Sequence, residues 1–498
     1  MLAIQNNIKS MRILASLLVL FSFSSCEDIL DTETYSAISD SDFWQTNKDA
    51  ELGVAAIYDA MQATYRLNHF LWGEFRADNY VVSDQAEAAV ESLITNNLTP
   101  DYEMYGRWNA FYSMILRANT AIEKIPNIAA YDKNLLGEAY ALRAYAYFDA
   151  YRVWGGVPLF TEASLVLNSD SYKEKASPQE VLDLVLSDLA QAEALITNVT
   201  SNYRFSVASI LAFKAKVHMY FQEYAEANTA LQALIDLNMY SLTDTRESWR
   251  DLFMNDQANF PGIGQEGPEL ILSLNFNLEE DGNRASGVYT LFYQGIPTYW
   301  VSQDIREKWL QAFPTDQAEW EAKYPGIPPH SWTNPTTGLT EDYYGDWRYH
   351  ETIEEASLPE DIRVKKYSKT NYSPFIDDTN IVLFRYADML LLKAEAENKL
   401  GNDQAAIDLV NEIRNARKLP TLVLTDYTTV EDRENLILDE RQFELFAEGT
   451  RWWDLVRTDK AVEVLGPING MTEEKIIWPI YFRHLIDNHK LEQNEAYK

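Results

Sequence analysis

Glu440, Glu444 and Glu448 recur at every fourth position. On a helix they share one face, with neighbouring Cβ atoms ~5–6 Å apart. That spacing approaches the ~5–5.5 Å between the two carboxyl groups of a retaining glycosidase. Arg441, Arg451 and Arg457 lie in the same stretch and are at hand to neutralise the carboxylates. An ion-pair network is therefore the better reading, and no catalysis is assigned to it. Other reactive types are sparse. The six histidines (His69, His218, His330, His350, His484 and His489) show no metal-ligand spacing, and no H-E-x-x-H pattern occurs. There is neither a G-x-x-x-x-G-K-[ST] phosphate loop nor a G-x-S-x-G elbow. Neither a metal nor a cofactor is expected, and no residue is assigned as catalytic.

The chemistry the chain does offer is aromatic. Aromatic residues make up 13% of the sequence, with 13 Trp and 30 Tyr. Each has a flat apolar face and a polar handle, which suits the C–H face of a sugar ring, although large helical cores also use them. The charge balance is one-sided: 42 Lys and Arg against 76 Asp and Glu, a net of −34. Such a field repels phosphate backbones and disfavours polyanionic ligands, so nucleic acid is not an expected partner and neutral glycans are mildly favoured.

Helical periodicity dominates the elements that must position these groups. At ~150 residues per domain the length suggests about three domains, but a repeat architecture could make one body. Phe43 to Arg66, Tyr102 to Ile125 and Asn134 to Val153 carry apolar residues at helical spacing, the last ended by Gly155, Gly156 and Pro158. Ser177-Pro178-Gln179-Glu180 is a capping box opening a helix to Ile196, and Ser206 caps another to Phe221. The latter pairs with Ala225 to Asp236 in a tetratricopeptide-type hairpin, repeated at Tyr386 to Leu400 and Asp403 to Lys418. Helix Val430 to Ala447 follows. Between about 255 and 380 glycine and proline cluster, with strand-like runs at Glu269 to Asn275 and, more weakly, Val288 to Phe292. This segment is rich in aromatics, which disordered chains lack, so it reads as ordered loops on a helical scaffold.

The N-terminus reads as a secretory signal. Lys9 and Arg12 precede an apolar run from Ile13 to Phe23 that is too short to span a bilayer. Ser22, Ser24 and Ser25 lead to Cys26, the only cysteine, in a pattern that resembles the lipobox of bacterial lipoproteins. Either Met1 or Met11 serves as the start. Acylation of Cys26 would anchor the chain without a membrane-spanning helix. Glu27, Asp28 and Asp31 resemble the export signal of Bacteroidetes surface lipoproteins. The expected organisation is a signal peptide over 1–25, an anchor and tether over 26–40 and a body over 41–498. Within that body, 41–254 and 381–498 form the helical scaffold and 255–380 the loop-rich, ligand-facing region.

Three internal motifs resemble the SusD/RagB family of Bacteroidetes nutrient-binding lipoproteins. They are Glu138 to Pro158 with its Arg143, Trp154 and Gly155-Gly156 turn; Arg385 to Ala396 with Asn411 to Arg414; and Glu440 to Arg457. The C-terminus, from Trp478-Pro479-Ile480 to Tyr497, matches more loosely, with Tyr481 where a second proline is usual. The resemblance implies a mostly α, tetratricopeptide-like scaffold with a loop-rich, partly β insert. It also implies an outer-membrane lipoprotein facing the exterior that captures oligo- or polysaccharide and delivers it to a SusC-like TonB-dependent transporter, without catalysis. Peptide capture on a RagB-like scaffold and a surface glycoside hydrolase are the alternatives.

By the same resemblance Asp78, Asn79 and Tyr80 introduce a first ligand loop, Val81 to Asn97, although that loop contains no Trp. Trp72 and Phe75 read as core. In the middle region Trp300, Trp332, Tyr343, Tyr344 and Trp347 are the candidate contacts. Trp332 and the Tyr343-Tyr344 pair beside Gly345 stand equally for ligand contact or packing, and Trp300, near a helix start, fits core at least as well. Asp346 and Arg348 resemble a structural family pair that leaves Trp347 to point outward. Arg363, Lys365 and Lys366 form a basic cluster, by default a solvated surface.

Overall fold

The computed structural model describes residues 43–163, 171–254, 265–276, 286–293, 297–333, 338–355, 361–367 and 378–498. The signal peptide, Cys26 and the tether lie outside the described residues.

Helices dominate. α1 (Asn47–Gly73) opens with a capping box in which Thr46 and Asp49 satisfy each other's backbone N–H groups, a device worth ~1 kcal/mol. It outruns the expected helix because Phe70, Leu71 and Trp72 are buried in the core. Two short helices, α2 (Ala88–Ile94) and α3 (Glu103–Gly106), precede α4 (Asn109–Lys124) and α5 (Lys133–Trp154). Ala139, Ala141, Ala144 and Ala146 of α5 are wholly buried. Their small side chains let α4 and α6 (Pro178–Leu195) approach closely. The Ser177 capping box opens α6, and Ser206 caps α7 (Val207–Tyr220), both as expected. α7 folds back on α8 (Tyr224–Asp236). After Gly156 the chain passes so close to Ala176 that a Cβ there would lie 1.9 Å from its carbonyl oxygen, which explains the second glycine of the signature.

The middle region contributes α9 (Arg246–Asp251), α10 (Gln303–Ala312), α11 (Gln317–Lys323) and α12 (Trp347–Thr352). The C-terminal scaffold comprises α13 (Tyr386–Lys399), α14 (Asp403–Ala416), α15 (Val430–Glu444), α16 (Arg451–Arg457), α17 (Ala461–Asn469) and α18 (Phe482–Asp487). α13 and α14 form the second hairpin, and α13 also packs on α8, joining the two. Helix α15 stops at Glu444 rather than Ala447, because Ala447 and Gly449 take positive φ in the following turn.

Strands form four antiparallel pairs among the described residues. β1 (Tyr80–Val82) pairs with β3 (Tyr299–Val301), and β2 (Leu270–Leu274) with β8 (Ile381–Arg385). β4 (His330–Thr333) pairs with β5 (Thr340–Tyr343), and β6 (Ile353–Glu354) with β7 (Arg363–Val364). β2 and β8 are buried along their whole length, as continuous apolar runs require when both faces are covered. The weaker strand expected at Val288 to Phe292 is instead a π-helical turn, Tyr289–Tyr293. Val288, Leu291 and Phe292 are all buried there, and that spacing suits one side of a helical turn better than strand alternation. One apolar core runs through the helices and beneath the loops, and a smaller cluster around Leu390, Leu391, Val410 and Ile437 lies between α13, α14 and α15.

Candidate ligand-binding face and the ion-pair frame beneath it

The three glutamates of α15 and its C-terminal turn are buried in an ion-pair network. Glu440 pairs with Arg348 at 2.8 Å and Arg414 at 2.8 Å. Glu444 meets Arg348, Arg385 and Arg417, each at 2.7 Å. Glu448 meets Arg385 at 2.7 Å and Lys366. Asp346 and Glu269 complete the set through Arg348 at 2.8 Å, Arg385 at 3.0 Å and Arg417 at 2.9 Å. Five carboxylates (Asp346, Glu269, Glu440, Glu444, Glu448) thus face five cations (Arg348, Arg385, Arg414, Arg417, Lys366). Indole N–H groups of Trp249 and Trp309 donate to Glu444 at 3.2 Å and Asp346 at 3.0 Å. Burial alone would raise the Glu444 carboxyl, but Arg417, Arg385 and Arg348 outweigh it and hold it well below the usual range. Glu440 is lowered in the same way, burial being outweighed by Arg348 and Arg414. A general acid needs the opposite shift. The carboxylate row is a frame.

The network's cations differ from those expected. Arg441 pairs with Asp388 and Asp454, Arg451 with Asp78, and Arg457 with Glu395 and Asp454. A residue adjacent in a helix points about 100° away from its neighbour, so Arg441 cannot serve the face of Glu440 and Glu444. Lys366 is also not surface. It is 3% exposed, and burial, opposed by Glu448, lowers its pKa to about 8.

Of Asp78, Asn79 and Tyr80, expected at the first ligand loop, Asn79 and Tyr80 are buried and Asp78 is half-buried. Arg451 grips Asp78 at 2.8 and 2.9 Å, and Gln442 donates to it at 3.1 Å. Burial would raise Asp78, but Arg451 outweighs it and its pKa is lowered. Asn79, wholly buried, donates to Glu74 at 2.8 Å and accepts from Gln442 at 2.8 Å. Tyr80 is 3% exposed and packs against Phe75 and Tyr299. Glu74, which also accepts from the Gly449 and Thr450 N–H groups, is raised by burial to about 7, the hydrogen bonds opposing. These residues tie the end of α1 to the turn after α15. Trp347 is corrected likewise: it is 4% exposed and does not point outward. Flanked by the buried pair Asp346 and Arg348, it follows them into the core. Trp72 and Phe75 are core as expected.

The remaining candidates lie nearer the surface. Trp332 on β4 and Tyr343 on β5 are half-buried. The register sets His330 opposite Tyr343 and Trp332 opposite Glu341, so His330, Trp332 and Tyr343 share one face of the hairpin. The Arg246 guanidinium lies 4.2 Å from the Trp332 ring centroid and 5.1 Å from that of Tyr343. Glu351 of α12 neutralises Arg246. Tyr344, half-buried, sits beside Trp320 and places its hydroxyl 3.5 Å from Glu321. Trp300 is 9% exposed, opposite Val81 across β1 and β3, with Arg363 at 5.2 Å from its ring. Tyr343 meets His350 of α12 edge-on at 5.1 Å, so the hairpin rests on α12, which runs directly into β6; β6 pairs with β7, and β7 lies against β3. Sequence reasoning missed Arg246, whose signal, a lone cation opening a short helix, is indistinct from many others. Among the described residues no group of three or more His, Cys, Asp and Glu is placed to hold a metal ion. No helix among them is long and apolar enough to cross a membrane.

A mostly helical scaffold with hairpin repeats and a few short strand pairs is the fold of SusD-like proteins. A model described as "SusD family" matches residues 248–475, and one described as "Starch-binding associating with outer membrane" matches residues 28–219. SusD-like protein P38 of Formosa agariphila is 58% identical over 95% of this chain and 96% of its own length. A SusD-like protein from Bacteroides fragilis superposes with a TM-score of 0.73 at 20% identity, covering 92% of this chain and 99% of that one. A laminarin-binding SusD-like protein does so with a TM-score of 0.68 at 22% identity, covering 91% and 100%. The chain belongs to the SusD/RagB family, a glycan-binding family associated with the outer membrane.

Proposed function

We propose that this protein captures oligo- or polysaccharide at the cell surface and delivers it to a SusC-like TonB-dependent transporter. Residues 1–25 are the signal peptide; Cys26 carries the lipid anchor and 26–40 the tether that holds the body outside the outer membrane. The protein binds without catalysis. One observation carries this reading: Trp332 and Tyr343 share a half-buried hairpin face pinned by Arg246, with Tyr344 next in the chain, while Trp300, buried on β3, belongs with the framework. Rings held in place lose little freedom when a sugar stacks on them, which favours affinity. Arg246 already has Glu351 as counter-ion, and Glu341, opposite Trp332 on the same face, disfavours anions, so a neutral glycan fits it best. Asp78, Asn79, Tyr80 and Trp347 serve as framework behind that face. Weak contacts at one such face gain from repetition along a polymer.

The test is isothermal titration of protein beginning after Cys26 with a panel of neutral and acidic polysaccharides. Heat that saturates for a neutral glycan is the expected result. Heat persisting at a steady rate after each injection means turnover and ends the non-catalytic reading. Saturation only with peptides, or only with acidic glycans, ends the neutral-glycan assignment.

A further inference from the structure

The helical scaffold lines a second, partly open polar feature, remote in sequence from the hairpin. A cavity of about 50 Å³ lies between α1, α5, α7 and the turn at Gly449 and Thr450. Its charges are matched. Arg152 pairs with Asp149, Lys216 and Arg441 with Asp388, and Arg441 and Arg457 with Asp454. Yet Trp72 Nε1 and Arg152 Nε in its wall meet no acceptor, and the Tyr65 hydroxyl faces Asp149 without closing a hydrogen bond to it. Trp72 and Tyr65 are 3% and 1% exposed, and the Arg152 side chain 10%.

None of these groups is free to swing to a partner. The Trp72 ring stacks on Phe111 at 5.0 Å and meets Trp154 edge-on at 5.8 Å. The Arg152 guanidinium sits over Phe148 at 4.6 Å and Trp453 at 4.3 Å. Tyr65 is wedged between Trp72, Phe111 and Tyr145. Buried donors fixed this firmly need an acceptor brought to them.

The wall decides the acceptor's chemistry. An anion would face Asp149, Asp454 and Glu448, because Arg152, Lys216, Arg441 and Arg457 in the same wall are already paired with carboxylates; a cation would face the N–H donors. A neutral acceptor that can also donate to Asp149 satisfies both. Water needs ≳10–15 Å³ of such volume and two to four polar partners, so the space suits about three molecules. We infer that this cavity is a built-in hydration site, in which about three waters bridge Trp72, Arg152 and the Tyr65–Asp149 pair and so join α1 to α5.

Crystals of the protein, native and soaked in bromide, test this. Discrete water peaks ~2.7–3.2 Å from Trp72 Nε1 and Arg152 Nε, with no anomalous bromide peak, are expected. In Trp72→Phe the water at the indole position is lost while that on Arg152 remains. A bromide peak would overturn the inference in favour of an anion site. So would a featureless cavity, a bound molecule other than water, or direct protein acceptors on both donors. Should Trp72→Phe not fold, the native maps decide alone.

Discussion

The frame around Glu444 and the hairpin around Arg246 use the same chemistry, guanidinium against carboxylate and aromatic ring, at opposite degrees of burial. Glu444, Arg348 and Arg417 are wholly buried, whereas Arg246 and Glu351 keep 14% of each side chain exposed beside half-buried Trp332 and Tyr343. In the frame every charge is matched and solvent is excluded, so the groups specify one arrangement of loop region and scaffold. At the hairpin one matched pair fixes two rings without covering them. Full burial makes a joint, and partial burial makes a surface.

Breaking the frame has the largest effect. Arg385→Ala removes a cation shared by Glu444, Glu448 and Glu269, leaves five buried carboxylates to four cations and lowers unfolding stability by ~3–5 kcal/mol, read from urea denaturation. Trp347→Ala comes next, costing ~3 kcal/mol or more as a buried cavity, with glycan affinity of the folded fraction unchanged. Trp332→Ala reverses that pattern: stability shifts by under ~1 kcal/mol, and glycan affinity falls by roughly fivefold to tenfold for ~1–1.4 kcal/mol of lost stacking. Arg246→Lys is smallest, retaining the charge but not the planar stack, with an affinity loss of about twofold measured by the same titration.

Stability against pH sharpens the comparison further. Glu74 is raised by burial from 4.5 to about 7, so between those values the unfolded chain loses its proton while the folded one keeps it. Stability therefore falls as pH rises from about 4.5 to 7. Glu74→Gln flattens that segment. Glu444, lowered by its guanidinium partners despite burial, has the opposite sign: its contribution is complete above about 4.5 and is lost as pH falls through its folded value. Denaturation midpoints measured between pH 3 and 8 separate the two.

Much of the scaffold was legible because its signals are local. The capping boxes at Ser177 and Ser206 and the hairpins around Gln222 and Gly401 are set by residues within a few positions of one another. The glutamate row read correctly as ion pairs, but its partners did not. Arg348, Arg385 and Arg417 lie 96, 59 and 27 positions from Glu444, and no local period reports such a distance. The same blindness hid the burial of Tyr80 and Trp347: in aperiodic loops, an aromatic that packs and one that points outward look alike. Of the candidate face, the aromatics Trp332, Tyr343 and Tyr344 stood out by composition, while Arg246, which pins two of them, did not.

The central claim is that the hairpin's aromatic face captures neutral glycan. Titrating wild-type protein, Trp332→Ala with Tyr343→Ala, and Trp347→Phe against the polysaccharide that saturates the wild type tests it most directly. The account predicts that the double variant folds with a near-native denaturation midpoint yet loses at least tenfold in affinity, while Trp347→Phe binds as wild type. A folded double variant that binds with unchanged affinity would contradict it.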